Sequence, residues 1–422
     1  MSMASINNKK VDKVIKTSWL DGLAKKLVLS TFSTLTHGRL IIDDDDQVIE
    51  CGEQQASTEL TAYLVVHHPS FYRHLLFGGS IGAGEAYMLG VWSSPSLLSV
   101  VQFFCKNLDA LNDMDNSTLM LKRIIIKVLH FLNANTLSGS KKNIAAHYDL
   151  GNDFFELFLD SKMMYSSGMY PEATTTLEEA AAYKIDVICK KLRLNEDDHL
   201  LEIGTGWGGL AIYAAEHYGC HVTTTTISQE QYDYAKKAVK AAGVEDKVTL
   251  LLCDYRKLEG QFTKLVSVEM IEAVGHDNYK KYFSICSKLL REDGLMCIQA
   301  ITIADQRYKQ AKKSVDFIQR YIFPGGSLPS NEVIARCVSR YTNMQIVSVE
   351  DIGLDYAKTL ADWRHNFKEC LPTVKNMGFD DAFCRMWEFY LCYCEGGFLE
   401  RSISTVHTVM AKPSAKQLRA LT

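Results

Sequence analysis

Four glycines within six residues form the segment whose chemistry the sequence suggests first. The run GTGWGG, Gly204–Gly209, lies between the strand-like HLLEIG and the helix-like GLAIYAAEHYG. Glycines at a strand-to-helix turn let the backbone pass close to a ligand, and the N-terminus of the next helix presents N–H groups that lack partners within the helix. This pattern predicts a pocket for a nucleotide-type cofactor.

The glycine spacing distinguishes two classes of cofactor. A dinucleotide fingerprint has the form G-x-G-x-x-G, with an acidic residue about 20 residues further on, at the end of the next strand. Here the spacing is G-x-G-x-G-G, and the next strand, HVTTTTIS, ends in hydroxyl side chains. A nicotinamide dehydrogenase is therefore the weaker interpretation, and a tight α/β turn without a ligand is the remaining alternative.

The elements around this loop alternate. Thr176 and Glu179 form a predicted capping box, and apolar residues recur at helical spacing after it. Strand-like and helix-like stretches then alternate from HLLEIG to GLMCIQAIT. Alternation of this kind predicts a doubly wound α/β domain with a mostly parallel sheet.

A change in composition marks the expected domain boundary. Residues 111–142 combine a polar, turn-rich stretch with a short amphipathic helix, LKRIIIKVLHFL, and the linker-like NANTLSGSKKN. We therefore expect a small α+β domain at 1–110, a linker with a short helix at 111–142, and the α/β domain at 143–422.

An amphipathic helix is expected near the start of the chain. Val11, Val14, Ile15, Trp19 and Leu23 fall at helical spacing, with lysines nearby. The apolar stripe is expected to pack in a core, and the alternative is that it lies on a membrane surface.

Composition excludes several classes of protein. The 46 basic and 50 acidic residues give a net charge of −4, which disfavours a nucleic-acid partner. The 12 cysteines contain no C-x-x-C pair, which indicates reduced thiols. No apolar run approaches the about 18 residues that span a bilayer, and the first residues lack the apolar core of a signal peptide. We expect a cytoplasmic protein without a bound metal.

Further motifs accompany the glycine loop in a fixed order. TIS-x-x-Q, DYR and SVEMIEAVG follow it, HYDLGNDFFELFLD and MYSS precede it, and YIFPGGSLPS lies further downstream. Together these residues resemble the S-adenosylmethionine-dependent cyclopropane fatty acid synthases and their mycolic acid relatives. The resemblance runs from about Asn143 to the C-terminus, and GEAYMLGVW extends it into the first domain.

The resemblance implies a fold and an activity. The fold is a class I, Rossmann-like S-adenosylmethionine-dependent methyltransferase domain. The activity is transfer of the sulfonium methyl group to a cis double bond in an acyl chain of a membrane phospholipid, followed by proton loss and closure of a cyclopropane ring. An alkene is a weak nucleophile, so this reaction needs alignment, a dry pocket and aromatic faces near the cation.

The resemblance also implies a bound bicarbonate as the proton acceptor. Its matching residues are Glu272, Tyr356, Gln299, Ser167 and Ile301, the last through its backbone. Ser167 and Gln299 replace the family's usual cysteine and histidine. Both can hydrogen-bond an anion, although glutamine cannot carry the positive charge that histidine can.

Three of the site residues have competing interpretations. Tyr356 is expected at the site because of its DY-x-x-TL context, and the alternative is a tyrosine that makes a hydrogen bond in the core. Glu272 is expected to be catalytic, and the alternative is that it caps the next helix. Cys394 matches a family cysteine once regarded as the nucleophile, but the chemistry needs no thiolate, so a direct role is the weaker interpretation.

The remaining implied contacts are with the cofactor and the lipid. The matching cofactor residues are Tyr165, Ser166, Gly204, Thr205, Gly206, Trp207, Gly208, Thr226, Ser228, Gln231, Asp254 and Tyr255. The partner is the phospholipid surface at the inner face of the membrane, and a homodimer is among the oligomeric states left open. The candidate headgroup contacts are the basic residues Lys122, Arg123, Lys127, Lys141 and Lys142.

Three alternatives remain open at this stage. The same methyl transfer can end in a methyl- or methylene-branched chain, because the position of the base decides which carbon loses a proton. A non-catalytic lipid-binding protein is suggested by Ser167 and Gln299. A nucleic-acid methyltransferase is remote, since the sequence has no N-P-P-[YF] or D-P-P-[YF] run.

Overall fold

The computed structural model describes residues 18–45, 47–52, 60–111 and 150–416. The predicted linker helix, the basic cluster and the first part of the opening helix lie outside the described residues. The chain divides into two compact units. One comprises Met1–Asp149, Asp316–Pro324 and Lys368–Glu400, and the other comprises Leu150–Val315, Gly325–Phe367 and Arg401–Thr422.

The described residues form eleven strands and fourteen α-helices. The strands are β1 (Arg39–Asp44), β2 (Gln47–Gly52), β3 (Thr61–Val66), β4 (Trp92–Ser93), β5 (His199–Ile203), β6 (His221–Thr226), β7 (Val248–Leu252), β8 (Phe262–Val268), β9 (Leu290–Ile303), β10 (Gln345–Asp351) and β11 (Ile403–Ala411). The helices are α1 (Trp19–Phe32), α2 (Ser70–Met88), α3 (Leu97–Lys106), α4 (Asn152–Glu156), α5 (Leu177–Leu192), α6 (Gly209–Tyr218), α7 (Gln229–Ala242), α8 (Tyr279–Leu289), α9 (Asp305–Ala311), α10 (Phe317–Tyr321), α11 (Asn331–Tyr341), α12 (Gly353–Glu369), α13 (Leu371–Asn376) and α14 (Asp381–Leu399). None of these helices is both long and apolar enough to cross a bilayer.

The first unit contains a four-stranded sheet in the order β2-β1-β3-β4. β1 pairs antiparallel with β2 and parallel with β3. Both later chain segments of this unit contact α2. Phe317 of the first segment packs against Gly84 so closely that a Cβ there would lie 2.4 Å from the ring. The Tyr87 hydroxyl also donates to Glu388 at 2.9 Å. The sequence did not predict these returns of the chain, and the expected boundaries at 110 and 143 stay a prediction.

Helix α1 exposes part of the apolar stripe that was expected to pack in a core. Ser18 and Asp21 form a capping box that fixes the start of the helix. Trp19 is 74% exposed and Leu23 is 37% exposed. The buried positions are instead Leu20, Asp21, Ala24, Val28 and Phe32. For these two residues the predicted packing is wrong, because the buried face is offset by one position from the stripe.

The second unit is a seven-stranded sheet in the order β10-β11-β9-β8-β5-β6-β7. β9, β8, β5, β6 and β7 are parallel to one another, whereas β11 pairs antiparallel with β9 and β10. Strand order runs outward from β5 in both directions, which is the doubly wound arrangement that the sequence predicts. The predicted fold class is confirmed.

Helix α5 has the capped start and the buried apolar face that the sequence predicts. The Thr176 hydroxyl accepts from the Glu179 amide, and the Glu179 carboxylate accepts from the Thr176 amide. The predicted capping box is confirmed. Ile185, Ile188 and Leu192 are fully buried in the core shared with the sheet. Each such side chain contributes about 1.5–3 kcal/mol by leaving water, which fixes the face that α5 turns to the strands.

Candidate active site

The predicted site residues of the second unit lie mainly at one edge of its sheet. The parallel strands β5, β6, β7 and β8 end at Ile203, Thr226, Leu252 and Val268. Ligands of open α/β sheets bind outside the carboxyl ends of the strands, where the strand order reverses. That position lies between β5 and β8, so the loops after these two strands form the candidate site.

The glycine loop has the backbone that a close ligand requires. Gly204, Gly206 and Gly208 have φ angles of 104°, 53° and 95°, a region that side chains with a Cβ rarely adopt. A Cβ at Gly206 would meet no heavy atom within 4 Å, so this backbone borders open space. Helix α6 begins at Gly209 without a side-chain cap, which leaves its first N–H groups for a ligand. The loop therefore fits a nucleotide-type cofactor.

Thr205 joins this loop to the sheet. Its hydroxyl shares a hydrogen bond with the Thr224 hydroxyl at 2.7 Å, and Thr224 donates to Glu202 at 2.5 Å. Burial raises the pKa of Glu202 to about 8, against the Thr224 hydrogen bond and the charge of Lys184. The Thr205 side chain is thus occupied within the sheet, and its backbone is what remains for a cofactor.

The hydroxyls at the end of β6 organise the start of α7. Thr226 donates to the Gln231 side-chain oxygen at 2.9 Å and accepts from the Ser228 amide at 3.1 Å. The Ser228 hydroxyl accepts from the Gln231 amide at 3.3 Å and caps α7. The three predicted cofactor residues of this turn therefore form one hydrogen-bonded group.

Asp254 and Tyr255 follow β7 at the same edge. Asp254 pairs with Arg256 and also accepts from its amide at 2.9 Å. The Arg256 hydrogen bonds lower the pKa of Asp254 to about 2, although burial opposes them. Tyr255 lies with its ring edge-on to Tyr282, at a centroid distance of 5.7 Å. Asp254 is therefore held as a carboxylate beside the cofactor loops.

An aromatic cluster contains two more of the predicted cofactor residues. The Tyr165 ring lies 5.1 Å from Phe155 and 5.3 Å from Trp363. Trp207 packs 5.3 Å from Phe155 and donates its indole N–H to Asn152 at 2.7 Å. Such rings supply the apolar wall and the electron-rich faces that a transient cation requires.

Three of the predicted catalytic residues converge on an acid that the sequence analysis did not select. Glu269, the residue after β8, accepts from the Ser167 amide at 3.0 Å, from Gln299 Nε2 at 2.7 Å and from the Tyr356 hydroxyl at 2.8 Å. Burial raises the pKa of Glu269, and these three hydrogen bonds together with the charge of Lys184 oppose that rise. The carboxyl group is the shared acceptor of donors from three parts of the chain.

The orientation of Gln299 follows from its other partner. His407 Nδ1 lies 2.7 Å from the Lys191 ammonium, which can only donate, so Nε2 carries the imidazole proton. That proton is donated to Gln299 Oε1 at 2.9 Å. Burial and the charge of Lys191 hold the pKa of His407 well below its ordinary value. A neutral His407 therefore directs the amide N–H of Gln299 toward Glu269.

Glu272 lies in the turn that follows Glu269. Its Oε1 accepts from the Ile301 amide at 2.6 Å, the backbone group that the resemblance assigned to the bicarbonate. Its Oε2 is buried and has no hydrogen-bond partner among the described residues. Burial, followed by the charge of Glu269, raises the pKa of Glu272 to about 8. Glu272 is thus predominantly a neutral acid at pH 7.

A fully buried lysine supplies the positive charge of this region. Lys184 Nζ donates to the Ser166 hydroxyl at 2.8 Å. Burial lowers the pKa of Lys184 to about 8, while the charges of Glu269, Asp160 and Glu202 act in the opposite direction. The predicted cofactor residue Ser166 is therefore held by an ammonium group on α5.

The predicted bicarbonate does not fit this arrangement. Ser167, Gln299 and Tyr356, which the resemblance assigns to the anion, already donate to the Glu269 carboxylate. The Ser167 hydroxyl itself donates to the Gly168 carbonyl at 2.8 Å. A bicarbonate would have to displace Glu269 and bring another negative charge beside it, at a buried position where charges are costly to place.

Cys394 lies in the other compact unit, on α14. Burial raises the pKa of its thiol far above the neutral range, so it is not a thiolate at pH 7. The other predicted catalytic residues all belong to the second unit, and a place for Cys394 at the site stays a prediction.

Sequence reasoning missed Glu269, Lys184 and His407. Glu269 lies within the motif SVEMIEAVG, three residues before the selected acid, and its position directly after a strand was the available signal. Lys184 falls between Ala181 and Ile188 on the buried face of α5, where a lysine is unusual enough to be noticed. The role of His407 depends on the pairing of β11 with β9, which the sequence does not give.

Comparison with known proteins gives one consistent family. The sequence profile of mycolic acid cyclopropane synthetase matches residues 136–408. The tuberculostearic acid methyltransferase of Mycobacterium tuberculosis is 39% identical over 343 residues, which cover 79% of this chain and 80% of that protein. The cyclopropane-fatty-acyl-phospholipid synthase of Escherichia coli is 36% identical over 360 residues, which cover 84% and 89% of the two chains.

Solved structures give the same result. A mycolic acid cyclopropane synthase complexed with SAH and CTAB has a TM-score of 0.59 and 29% identity, and the match covers 65% of this chain and 98% of that one. The cyclopropane synthase MmaA2 from Mycobacterium tuberculosis also has a TM-score of 0.59, with 28% identity, and the match covers 66% and 100%. The resemblance seen in the sequence motifs is confirmed.

Proposed function

The chain belongs to the mycolic acid cyclopropane synthetase family, and on that premise we propose that it converts a cis double bond in a phospholipid acyl chain into a cyclopropane ring. As a member of this family it is an S-adenosylmethionine-dependent methyltransferase that modifies lipid acyl chains. When bound, S-adenosylmethionine supplies an electrophilic methyl group. The glycine loop, the β6 hydroxyls and Tyr165 are the residues that would hold it.

One observation carries this proposal. Two partly buried acids, Glu269 and Glu272, follow β8, the strand parallel and adjacent to the one that leads into the glycine loop. A methyl donor on that loop and a proton acceptor after β8 would therefore share one edge of the sheet. Neither tight turn geometry nor helix capping explains two acids that are both withdrawn from solvent there.

The chain's residues would act by position and by charge. The aromatic cluster around Tyr165 and Trp363 would exclude water and offer ring faces to the cation on the lipid. Lys184 balances the carboxylate of Glu269. The reaction forms a carbon–carbon bond at one alkene carbon, leaves a cation on its neighbour, and ends when a proton is lost and the ring closes.

A branched product is the second candidate. It is supported by the 39% identity with a protein named as a tuberculostearic acid methyltransferase. It would arise from the same cation if the proton leaves a different carbon, or if the product is later reduced. A base attached to the chain has a fixed position, and that position would select one outcome.

Product analysis tests both candidates. Vesicles of a defined cis-monounsaturated phospholipid would be incubated with S-adenosylmethionine that carries a trideuterated methyl group, and the acyl chains examined by mass spectrometry and proton NMR. A ring keeps two of the three deuterium atoms and shows cyclopropane protons. A product that keeps all three excludes the ring, and failure to label any unsaturated lipid overturns the proposed function.

We also propose that the protein works at the inner face of the membrane as a peripheral protein. The substrate lies in a bilayer, and α1 presents the exposed side chains of Trp19 and Leu23. Tryptophan is favoured at the boundary between headgroups and acyl chains. Cosedimentation with anionic vesicles should fall at least threefold in Trp19→Ser, and equal binding would contradict this part of the proposal.

A further inference from the structure

We propose that the carboxylate of Glu269 takes the place of a bound oxyanion and is itself the proton acceptor of the reaction. The inference rests on the proposed function and deepens it, because it assigns the base to a residue of this chain. It replaces the expectation of a bicarbonate, which the arrangement around Glu269 does not fit.

The first line of evidence is the donor set. The Ser167 amide, Gln299 Nε2 and the Tyr356 hydroxyl are the groups that would hold a small oxyanion, and each lies 2.7–3.0 Å from an oxygen of Glu269. Two bonds reach one oxygen and the third reaches the other, so the carboxylate is held at both ends. A carboxylate and a bicarbonate present similar planar oxygen pairs, and the same donors can satisfy either.

The second line of evidence is the backbone. Glu269 has a φ angle of 48°, in the left-handed region that glycine occupies without strain. Its amide donates to the Gln299 carbonyl at 2.8 Å, which holds the residue against β9. A non-glycine residue in this conformation is strained. The residue with this strained backbone is the one whose side chain accepts from the three donors.

The third line of evidence is charge. Glu272 lies three residues from Glu269 in the chain, and in its neutral form it adds no charge beside that carboxylate. Lys184 is the nearby cation that stabilises the Glu269 carboxylate. Burial raises the pKa of Glu269, which makes its carboxylate more basic than one in water and so favours its taking a proton. Glu272 keeps its pKa of about 8 and stays a neutral acid beside it.

The proposed step balances. Methyl transfer breaks the sulfur–carbon bond and forms a carbon–carbon bond with the alkene electrons, which leaves a cation on the adjacent lipid carbon. Glu269 then removes a proton from the added methyl group, and the electrons of that C–H bond form the last bond of the ring. The proton on Glu269 passes to solvent before the next turnover, and the thioether is the second product.

The test combines bicarbonate dependence with replacement of Glu269. Methyl transfer by the wild-type protein should be unchanged when bicarbonate is removed by degassing and carbonic anhydrase. Glu269→Gln keeps the shape without the base, and Glu269→Gly relieves the φ strain and opens the donor set. Both should lower turnover by about 100-fold or more, the usual effect of a lost general base, while calorimetry shows S-adenosylmethionine affinity within about threefold of wild type.

Chemical rescue distinguishes a base from a structural acid. In Glu269→Gly the three donors should accept added bicarbonate and recover activity at least tenfold, and ¹³C NMR with labelled bicarbonate should detect binding to this variant and not to the wild type. Asp198→Asn is the matched control, since Asp198 is also buried but precedes β5 at the opposite edge of the sheet. It should keep activity within about twofold of wild type.

The outcomes separate the two proposals. Glu269 is not the base if wild-type activity falls when bicarbonate is removed, or if labelled bicarbonate binds the wild type at the site. Both of these experiments use the wild-type protein, so they do not depend on whether a variant folds. If Glu269→Gln turns over like Asp198→Asn, the inference also fails although lipid methylation stands. If the wild type methylates no lipid, the proposed function fails and this inference falls with it.

Discussion

At the scale of single residues, the site must accommodate several ionisable groups in a poorly solvated region. Lys184 is fully buried, and Glu269 and Glu272 are partly buried in the same region. Two carboxylates beside one ammonium would leave a net negative charge in a medium that solvates it poorly. The raised pKa of Glu272, about 8, resolves this, because a neutral Glu272 leaves one carboxylate and one ammonium. The pattern separates the two acids into a base and a neutral hydrogen-bonding group.

The first prediction concerns Gln299, which bridges His407 and Glu269. A neutral histidine can accept from His407 with one nitrogen and donate to Glu269 with the other, so Gln299→His should keep activity within about tenfold. Gln299→Met has a similar size but no donor. Loss of a hydrogen bond to a carboxylate costs about 1.5–3 kcal/mol, which corresponds to an upward shift of about one to two pH units.

The measurement is the pH profile of kcat/KM for both variants. If Glu269 must be ionised, the acidic limb of Gln299→Met should move to higher pH, because Glu269 would lose a donor that lowers its pKa. The other charged or titratable groups that face Glu269 are Lys184, Tyr356 and Glu272, and they are unchanged in both variants. Identical profiles in the two variants would show that Gln299 does not act through Glu269.

The second prediction concerns Gly206. A valine there would project into the open space beside the cofactor loop, so Gly206→Val should weaken S-adenosylmethionine binding by about 100-fold or more. Gly243→Val is the matched control, since Gly243 also has a positive φ, 70°, and no heavy atom near its Cβ position, but ends α7. Both variants carry a similar backbone cost of about 1–2 kcal/mol.

Calorimetric titration with S-adenosylmethionine separates strain from obstruction. Equal losses of affinity in Gly206→Val and Gly243→Val would mean that backbone strain, rather than contact with the ligand, accounts for the effect. An affinity of Gly206→Val close to that of wild type would remove the glycine loop from the binding site.

At the scale of elements, the sequence predicted most where local signals act alone. Helix α5 was recognisable from Thr176, Glu179 and its apolar spacing, because capping and amphipathicity are properties of neighbouring residues. β9 is longer than the predicted GLMCIQAIT and begins at Leu290, because Leu290 pairs with Phe262 of β8 before the register shifts to Lys264 and Leu295. Pairing partners lie far apart in the chain and leave no local signature.

Some residues of the site could be predicted from the sequence around them, whereas others matter only through contacts with residues far away in the chain. Residue type and spacing were sufficient to select the glycine loop, whereas Glu272 was selected because its motif resembles that of the family. Glu269 was overlooked because its importance comes from donors on Ser167, Gln299 and Tyr356, up to 102 residues away in the chain. Only the folded sheet brings those donors to one carboxylate.

At the scale of the whole molecule, buried acids tie folding stability to pH. Glu202 and Glu272 have pKa values of about 8 in the folded protein, compared with an ordinary value of 4.5. Between these values the folded state holds protons that the unfolded state has released, so stability falls as pH rises from about 4.5 to 8. Lys184, with a folded pKa of about 8 and an ordinary value of 10.5, is protonated in both states over most of this window.

The last prediction is that Glu202→Gln flattens this pH dependence. The amide oxygen can still accept from Thr224, and the group no longer titrates. One titrating group contributes at most about 1.4 kcal/mol per pH unit, so the slope of unfolding free energy between pH 5.5 and 7.5 should fall by roughly 1 kcal/mol per unit. Urea unfolding at three pH values measures it, with Glu230→Gln on the exposed surface of α7 as the control. The control should keep the wild-type slope, and an unchanged slope in Glu202→Gln would mean that Glu202 is ionised in the folded protein throughout this range.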